Sequence, residues 1–163
     1  MAFSPSGDIY LRNRRLQVGQ VNNRILAIRD NDDDGRADVI TGFLDKPGTG
    51  IALHNGYLYY SDRTTAFRSP IQEGELLPEE KVDTLVHLVP GSGHMEKPFT
   101  FDVKGNMYVN VGSLSNACEQ PLRTGNSPGE DPCTELETRA GIWKFNEDAL
   151  HQEQDISNRY ATG

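Results

Sequence analysis

The residue best placed to do chemistry is His94. It follows Val89-Pro90-Gly91-Ser92-Gly93, and an earlier stretch, Lys46-Pro47-Gly48-Thr49-Gly50, has the same Pro-Gly-hydroxyl-Gly order but leads into Ile51. Glycines let the backbone approach a ligand closely, and imidazole is a side chain well suited to proton exchange. Two readings are open. The ring either caps a strand or bonds a carbonyl, or it is a general base. His54, His87 and His151 show no metal-ligand spacing and read as strand or surface residues.

Two further groups carry chemistry. Asp30-Asn31-Asp32-Asp33-Asp34-Gly35-Arg36-Ala37-Asp38 sets Asp30, Asp32, Asp34 and Asp38 at positions one, three, five and nine of a calcium loop, with glycine at six. Position twelve is Thr41 and not a bidentate glutamate, and the flanks read as strands. A structural calcium site and a solvated acidic turn both remain open. Cys118 and Cys133 bracket a loop rich in Gly, Pro and Asn. A disulfide there would contribute about 3 kcal/mol by loop closure; the alternative is two free thiols in a reducing compartment. There is no Cys-x-x-Cys-His, so no covalent haem is indicated.

What positions these groups is a repeat. Phe3-Ser4-Pro5-Ser6-Gly7-Asp8-Ile9-Tyr10-Leu11, Ala52-Leu53-His54-Asn55-Gly56-Tyr57-Leu58-Tyr59-Tyr60 and Phe101-Asp102-Val103-Lys104-Gly105-Asn106-Met107-Tyr108-Val109 share one frame, with glycines 49 residues apart and tyrosine three places after each. Each frame predicts a hairpin, its glycine supplying the turn and apolar or aromatic residues the strands. Arg24–Arg29, Thr65–Arg68 and Gly141–Phe145 read as third strands; Val39–Phe43, Thr84–Val89 and Asn158–Ala161 read as fourth. Four short strands at a constant period predict an all-β partial β-propeller of about three four-stranded antiparallel blades. The units fall at about 1–45, 46–89 and 90–163, with a loop insertion at 114–138. A β-sandwich also has short strands, but gives no reason for the constant period. Glu147–Asp155 reads as a short polar turn or helix.

Composition narrows the partners. The 163 residues are 36% hydrophobic and 25% charged, a globular balance, with net charge −8 and no basic block. That argues against nucleic acid or an anionic membrane as partner. No apolar run approaches the ~18 residues of a membrane-spanning helix. The first residues show no basic stretch followed by an apolar one, so no signal peptide is visible.

Gly93-His94-Met95-Glu96-Lys97, then Phe99 to Tyr108 and Val109-Asn110-Val111-Gly112-Ser113-Leu114-Ser115-Asn116-Ala117-Cys118-Glu119, resembles the glucose/sorbosone dehydrogenase family. Arg139-Ala140-Gly141-Ile142-Trp143-Lys144-Phe145-Asn146 and Arg159-Tyr160-Ala161-Thr162-Gly163 also fit, so the resemblance covers about 89–163, while 1–88 match as generic blades. Members are soluble, PQQ-dependent sugar dehydrogenases with a six-bladed propeller. The resemblance implies oxidation of an aldose or similar aldehyde, with His94 taking the hydroxyl proton. It makes Lys97 a cofactor-carboxylate contact where members commonly carry arginine. Ser113 and Asn116 become polar groups beside PQQ, or else turn residues serving local backbone. It also implies a periplasmic or secreted protein, and members often carry such an acidic hairpin between third and fourth strands, which leaves calcium on that loop possible.

Family members continue past their Tyr-Ala-x-Gly into an Arg-Asn motif that contacts PQQ and then into further blades; this sequence stops at Gly163. The expectation is a fragment, inactive alone, whose partners are a sugar or aldehyde substrate and the remaining blades. The other class of function is a propeller that only binds or scaffolds.

Overall fold

The computed structural model describes residues 1–12, 25–122 and 124–162. Arg24 and Gly163, each part of a predicted feature, lie outside the described residues.

The repeated glycines bend the chain as their spacing predicts. Gly7, Gly56 and Gly105 have φ of +89°, +76° and +79°, a region open to glycine without a Cβ penalty. The first sheet runs β1 (Ala2–Phe3), β2 (Ile9–Arg12), β3 (Ile25–Arg29) and β4 (Val39–Leu44) in that order, all antiparallel. The second begins with β5 (Ile51–His54), β6 (Tyr57–Ser61), β7 (Thr65–Pro70) and β8 (Asp83–His87). The third holds β9 (Phe99–Phe101), β10 (Asn106–Val111) and β11 (Gly141–Asn146). After β11 the chain forms β12 (Gln152–Glu153) and then β13 (Arg159–Thr162), the third sheet's last strand. The chain is an all-β partial propeller.

The three tyrosines hold one register. Tyr10 sits between Ala2 and Ala27, Tyr59 between Ala52 and Arg68, and Tyr108 between Thr100 and Lys144. Each points from a second strand toward the following sheet where one is present. The Tyr10 hydroxyl donates to the Leu76 carbonyl at 3.0 Å, and the Tyr59 ring meets Phe101 edge-on at 4.6 Å. Tyr108 bonds Asp102 at 3.0 Å and packs against the exposed ring of Tyr160.

The sheets pack in series, which explains why one period serves the whole chain. Ala2, Tyr10, Ala27 and Leu58 form a core between the first two sheets. Tyr59, Ala66, Leu85, Met107, Val109, Trp143 and Phe145 form the larger one between the second and third. Burial alternates along β11, with Gly141, Trp143 and Phe145 inward and Ile142, Lys144 and Asn146 outward. Each large apolar side chain buried here contributes about 1.5–3 kcal/mol.

One element departs from expectation. The polar stretch after β11 does not remain a turn; β12 crosses back and pairs parallel to β8, giving the second sheet a fifth strand. The outer edge of β8 would otherwise present unpaired backbone groups. His151 N–H donates to the Thr84 carbonyl at 3.0 Å and Gln154 N–H to that of His87 at 2.9 Å, and the Gln154 side chain accepts from Val89 N–H. His151 takes φ of +52° in making the crossing, and its Nδ1 lies 3.3 Å from His87 Nε2.

Candidate active site

His94 lies at the end of the crossing from the second sheet to the third, just before edge strand β9. Gly93 turns the chain with φ of +77° and lies so close to Ser113 and Leu114 that a Cβ would collide with them. A Cβ on Gly112 would in turn meet His94. Two glycines thus let the crossing lie directly on the segment leaving β10. His94 N–H donates to the Ser113 carbonyl at 2.9 Å, and its exposed ring places Nε2 at 3.2 Å from Asn116 Oδ1. Three of the residues singled out in the sequence, His94, Ser113 and Asn116, therefore come together. Ser113 and Asn116 also line a cavity of about 620 Å³ with Cys118, Cys133, Glu135 and Ile142.

Lys97 lies three residues after His94. Its side chain is buried, at 1% exposure, with Nζ 3.2 Å from the Met95 carbonyl. Burial, reinforced by the Arg139 charge, pushes its pKa down to about 8. Its main-chain carbonyl accepts from the Ser61 hydroxyl at 2.7 Å, tying the second sheet to the third.

Arg139 went unassigned in the sequence although it opens one of the matching motifs. It is buried, donates from Nε to the Gly112 carbonyl at 3.1 Å, and presses on Gly91 so closely that a Cβ there would collide with its guanidinium. The preceding crossing repeats the device. Arg12 donates to the carbonyls of Gly48 at 3.3 Å and Ser61 at 2.6 Å, and Gly48 has no room for a Cβ. The glycine of each Pro-Gly pair thus makes space for an arginine. Within a chain of net charge −8, these strand ends gather cations.

The acidic loop joins β3 to β4. Carboxylate oxygens of Asp30, Asp32 and Asp38 lie within 4.8 Å of one another. Asp34 does not join them; it accepts from Arg36 N–H at 2.7 Å. Hydrogen bonds from backbone N–H groups, Gly35 first among them, outweigh desolvation and hold the Asp30 carboxyl below its usual range. Cys118 and Cys133 form a disulfide with Cα atoms 5.9 Å apart. Beside it, Glu135 accepts from the N–H groups of Leu114 and Ser115 at 2.9 and 3.0 Å and from the Ser115 hydroxyl at 2.7 Å. Nothing in the sequence marks Glu135, an ordinary acidic residue in a polar loop.

No family model and no curated protein matches the chain. Solved structures do. The chain shares its fold with the PQQ domain of pyranose dehydrogenase from Coprinopsis cinerea, in its holo form, with a TM-score of 0.72 and 16% identity over 98% of this chain and 36% of that one. It is also similar to structures of Trichoderma reesei Carbohydrate-Active Enzymes Family AA12. An iodide form gives TM-score 0.71 and 12% identity over 96% of this chain and 37% of that one; a calcium form gives 0.69 and 13% over 98% and 38%. The chain spans just over a third of the length of each. The likeness places the fold beside these domains, and not in the glucose/sorbosone family in particular.

Proposed function

We propose that this chain is the part of a PQQ-dependent sugar or aldehyde dehydrogenase that supplies the general base, His94. The observation that carries the reading is the placement of that residue: its main chain is strapped to Ser113 and its exposed ring to Asn116, and the adjoining Gly112 carbonyl is held by the buried Arg139.

The residues fit such a cofactor in charge. Lys97 Nζ bonds the Met95 carbonyl and Arg139 Nε the Gly112 carbonyl, so both cations are held by main-chain oxygens and their charge favours an anionic ligand. When bound, PQQ supplies a quinone that accepts hydride, and its carboxylates bring the negative charge these cations favour. Lys97 and Arg139 would hold it through their field, and Ser113 and Asn116 through direct polar contact. His94 has its own task. A sugar hydroxyl losing hydride from its carbon must also lose its proton, and an imidazole within hydrogen-bond reach can take it.

The remaining blades, the substrate and an exported location belong to the same proposal. A disulfide closing the 118–133 loop suits an oxidising compartment. Calcium on Asp30, Asp32 and Asp38 belongs to it as well.

The test is His94→Ala in the longest form of the protein, supplied with PQQ, calcium and an artificial acceptor. The kcat is expected to fall by about 10²–10⁴-fold, with PQQ affinity little changed. Residues 1–163 alone are expected to be inactive. Near-normal turnover by the variant would leave His94 a strand-capping residue and return the chain to the class of non-catalytic binding propellers.

A further inference from the structure

The segment against His94 is held from behind with unusual completeness. One carboxylate, Glu135, takes three hydrogen bonds from two consecutive residues: Leu114 N–H and Ser115 N–H on Oε2, and the Ser115 hydroxyl on Oε1. Glu135 lies in a 3₁₀ turn, Thr134–Glu137, that begins one residue after Cys133. The disulfide from Cys133 to Cys118 ties the same turn to the chain two residues beyond Asn116. Asn116 therefore stands between two anchors, both reaching it from the 133–135 stretch. Its amide oxygen is 3.2 Å from His94 Nε2.

An amide oxygen only accepts a hydrogen bond. A neutral imidazole facing it must carry its hydrogen on the facing nitrogen, which leaves the other nitrogen with the lone pair. We propose that Asn116 and Glu135 are positioning residues for His94. Glu135 fixes the 114–116 segment, Asn116 accepts from Nε2–H, and Nδ1 is thereby left as the nitrogen that takes the substrate proton. This rests on the reading of His94 as the base. The step balances without any other reagent: the O–H bond of the substrate breaks, an N–H bond forms at Nδ1, and the ring becomes a cation whose Nε2–H still points at Asn116.

The test reads the tautomer directly. The chain is labelled with ¹⁵N at its histidines, and long-range ¹H–¹⁵N correlation is recorded about two pH units above the ordinary imidazole value of ~6.5. His94 is assigned by its loss in His94→Gln. The native protein is expected to show the Nε2–H form. Asn116→Ala and Glu135→Ala are expected to move it toward the mixture seen in free histidine, with Glu135→Gln restoring it in part. The indole signal of the buried Trp143 checks that each variant is folded. A native Nδ1–H form, or a tautomer unmoved by both alanine variants, overturns the proposal.

Turnover of the longest PQQ-supplied form separates this from the reading beneath it. Loss of the tautomer is expected to lower kcat by about tenfold or more, with KM little changed; a wrong tautomer costs a Ser-His-Asp triad about 10⁴. A shifted tautomer with unchanged turnover would retain the positioning and remove His94 as base. An unshifted tautomer with an inactive His94→Ala would do the reverse.

Discussion

Lys97 offers a measurement in which sign, size and pH window all follow from its burial. Its pKa of about 8, against the usual 10.5, means that holding the ammonium in place costs about 3 kcal/mol at neutral pH. Methionine has nearly the same shape and no charge, so Lys97→Met removes that cost and loses one hydrogen bond to Met95, worth about 1 kcal/mol. The variant is expected to be more stable than the native chain by about 2 kcal/mol at pH 7. For a chain of 163 residues that is about 4–8 °C in Tm. Between pH ~8 and 10.5 the unfolded lysine still binds a proton that the folded one has released. Native stability therefore rises relative to the variant across that window. The advantage of the variant is complete below pH 8 and reverses by about 10.5, where only the lost hydrogen bond remains, about 1 kcal/mol in favour of the native chain. Burial raises the Tyr10 pKa to about 12, a trend of opposite sign, but it affects both proteins alike and cancels in the difference. Thermal melts of the two proteins at half-unit steps from pH 6.5 to 10.5 make the comparison. A gap independent of pH, or a variant less stable at pH 7, refutes the account.

Two other outcomes follow from the geometry. Calcium at millimolar concentration is expected to raise Tm, and chelator to reverse the rise, because an ion held by Asp30, Asp32 and Asp38 binds only the folded turn; an unchanged melt assigns the turn to solvent. Gly93→Ala is expected to destabilise the chain by about 1–3 kcal/mol, since alanine at φ of +77° is strained and its Cβ meets Leu114; a urea titration with unchanged midpoint would contradict the close approach of the crossing.

Much of this was legible in the chain because repetition exposes it. A glycine followed at the third place by tyrosine, recurring at one interval, fixes hairpin, register and period together. The third and fourth strands followed from β-branched and aromatic residues, and their ends moved by one or two positions only. What was not legible depends on neighbours distant in sequence. Gln152 and Glu153 carry no strand signal; they become β12 because the edge of β8 needs partners. Lys97 stands out in the sequence only through a resemblance, and nothing around it there signals that its ammonium is buried. Asp34 fits a loop template by position, yet turns to its own backbone. His94, Ser113 and Asn116 were separable from ordinary turn residues only through a resemblance. Their convergence comes from two glycines whose missing side chains let the loops touch.

The return of β12 to the second sheet has a consequence for folding order. In a simple repeat array each unit completes itself from its own stretch of sequence, and its neighbours only add to its stability. Here the outer edge of the second sheet stays bare until residues 152–154 have been made, and by then the whole of β9, β10 and β11 has already been made. The second and third units are consequently stitched into one cooperative block, and the first is attached through two separate, smaller clusters. Amide exchange in β8 should report opening of the third unit as well as its own, whereas β2 and β3 should exchange through a separate, less costly opening. On the ribosome, the second unit would wait about 65 residues beyond its own last strand for its final backbone partners.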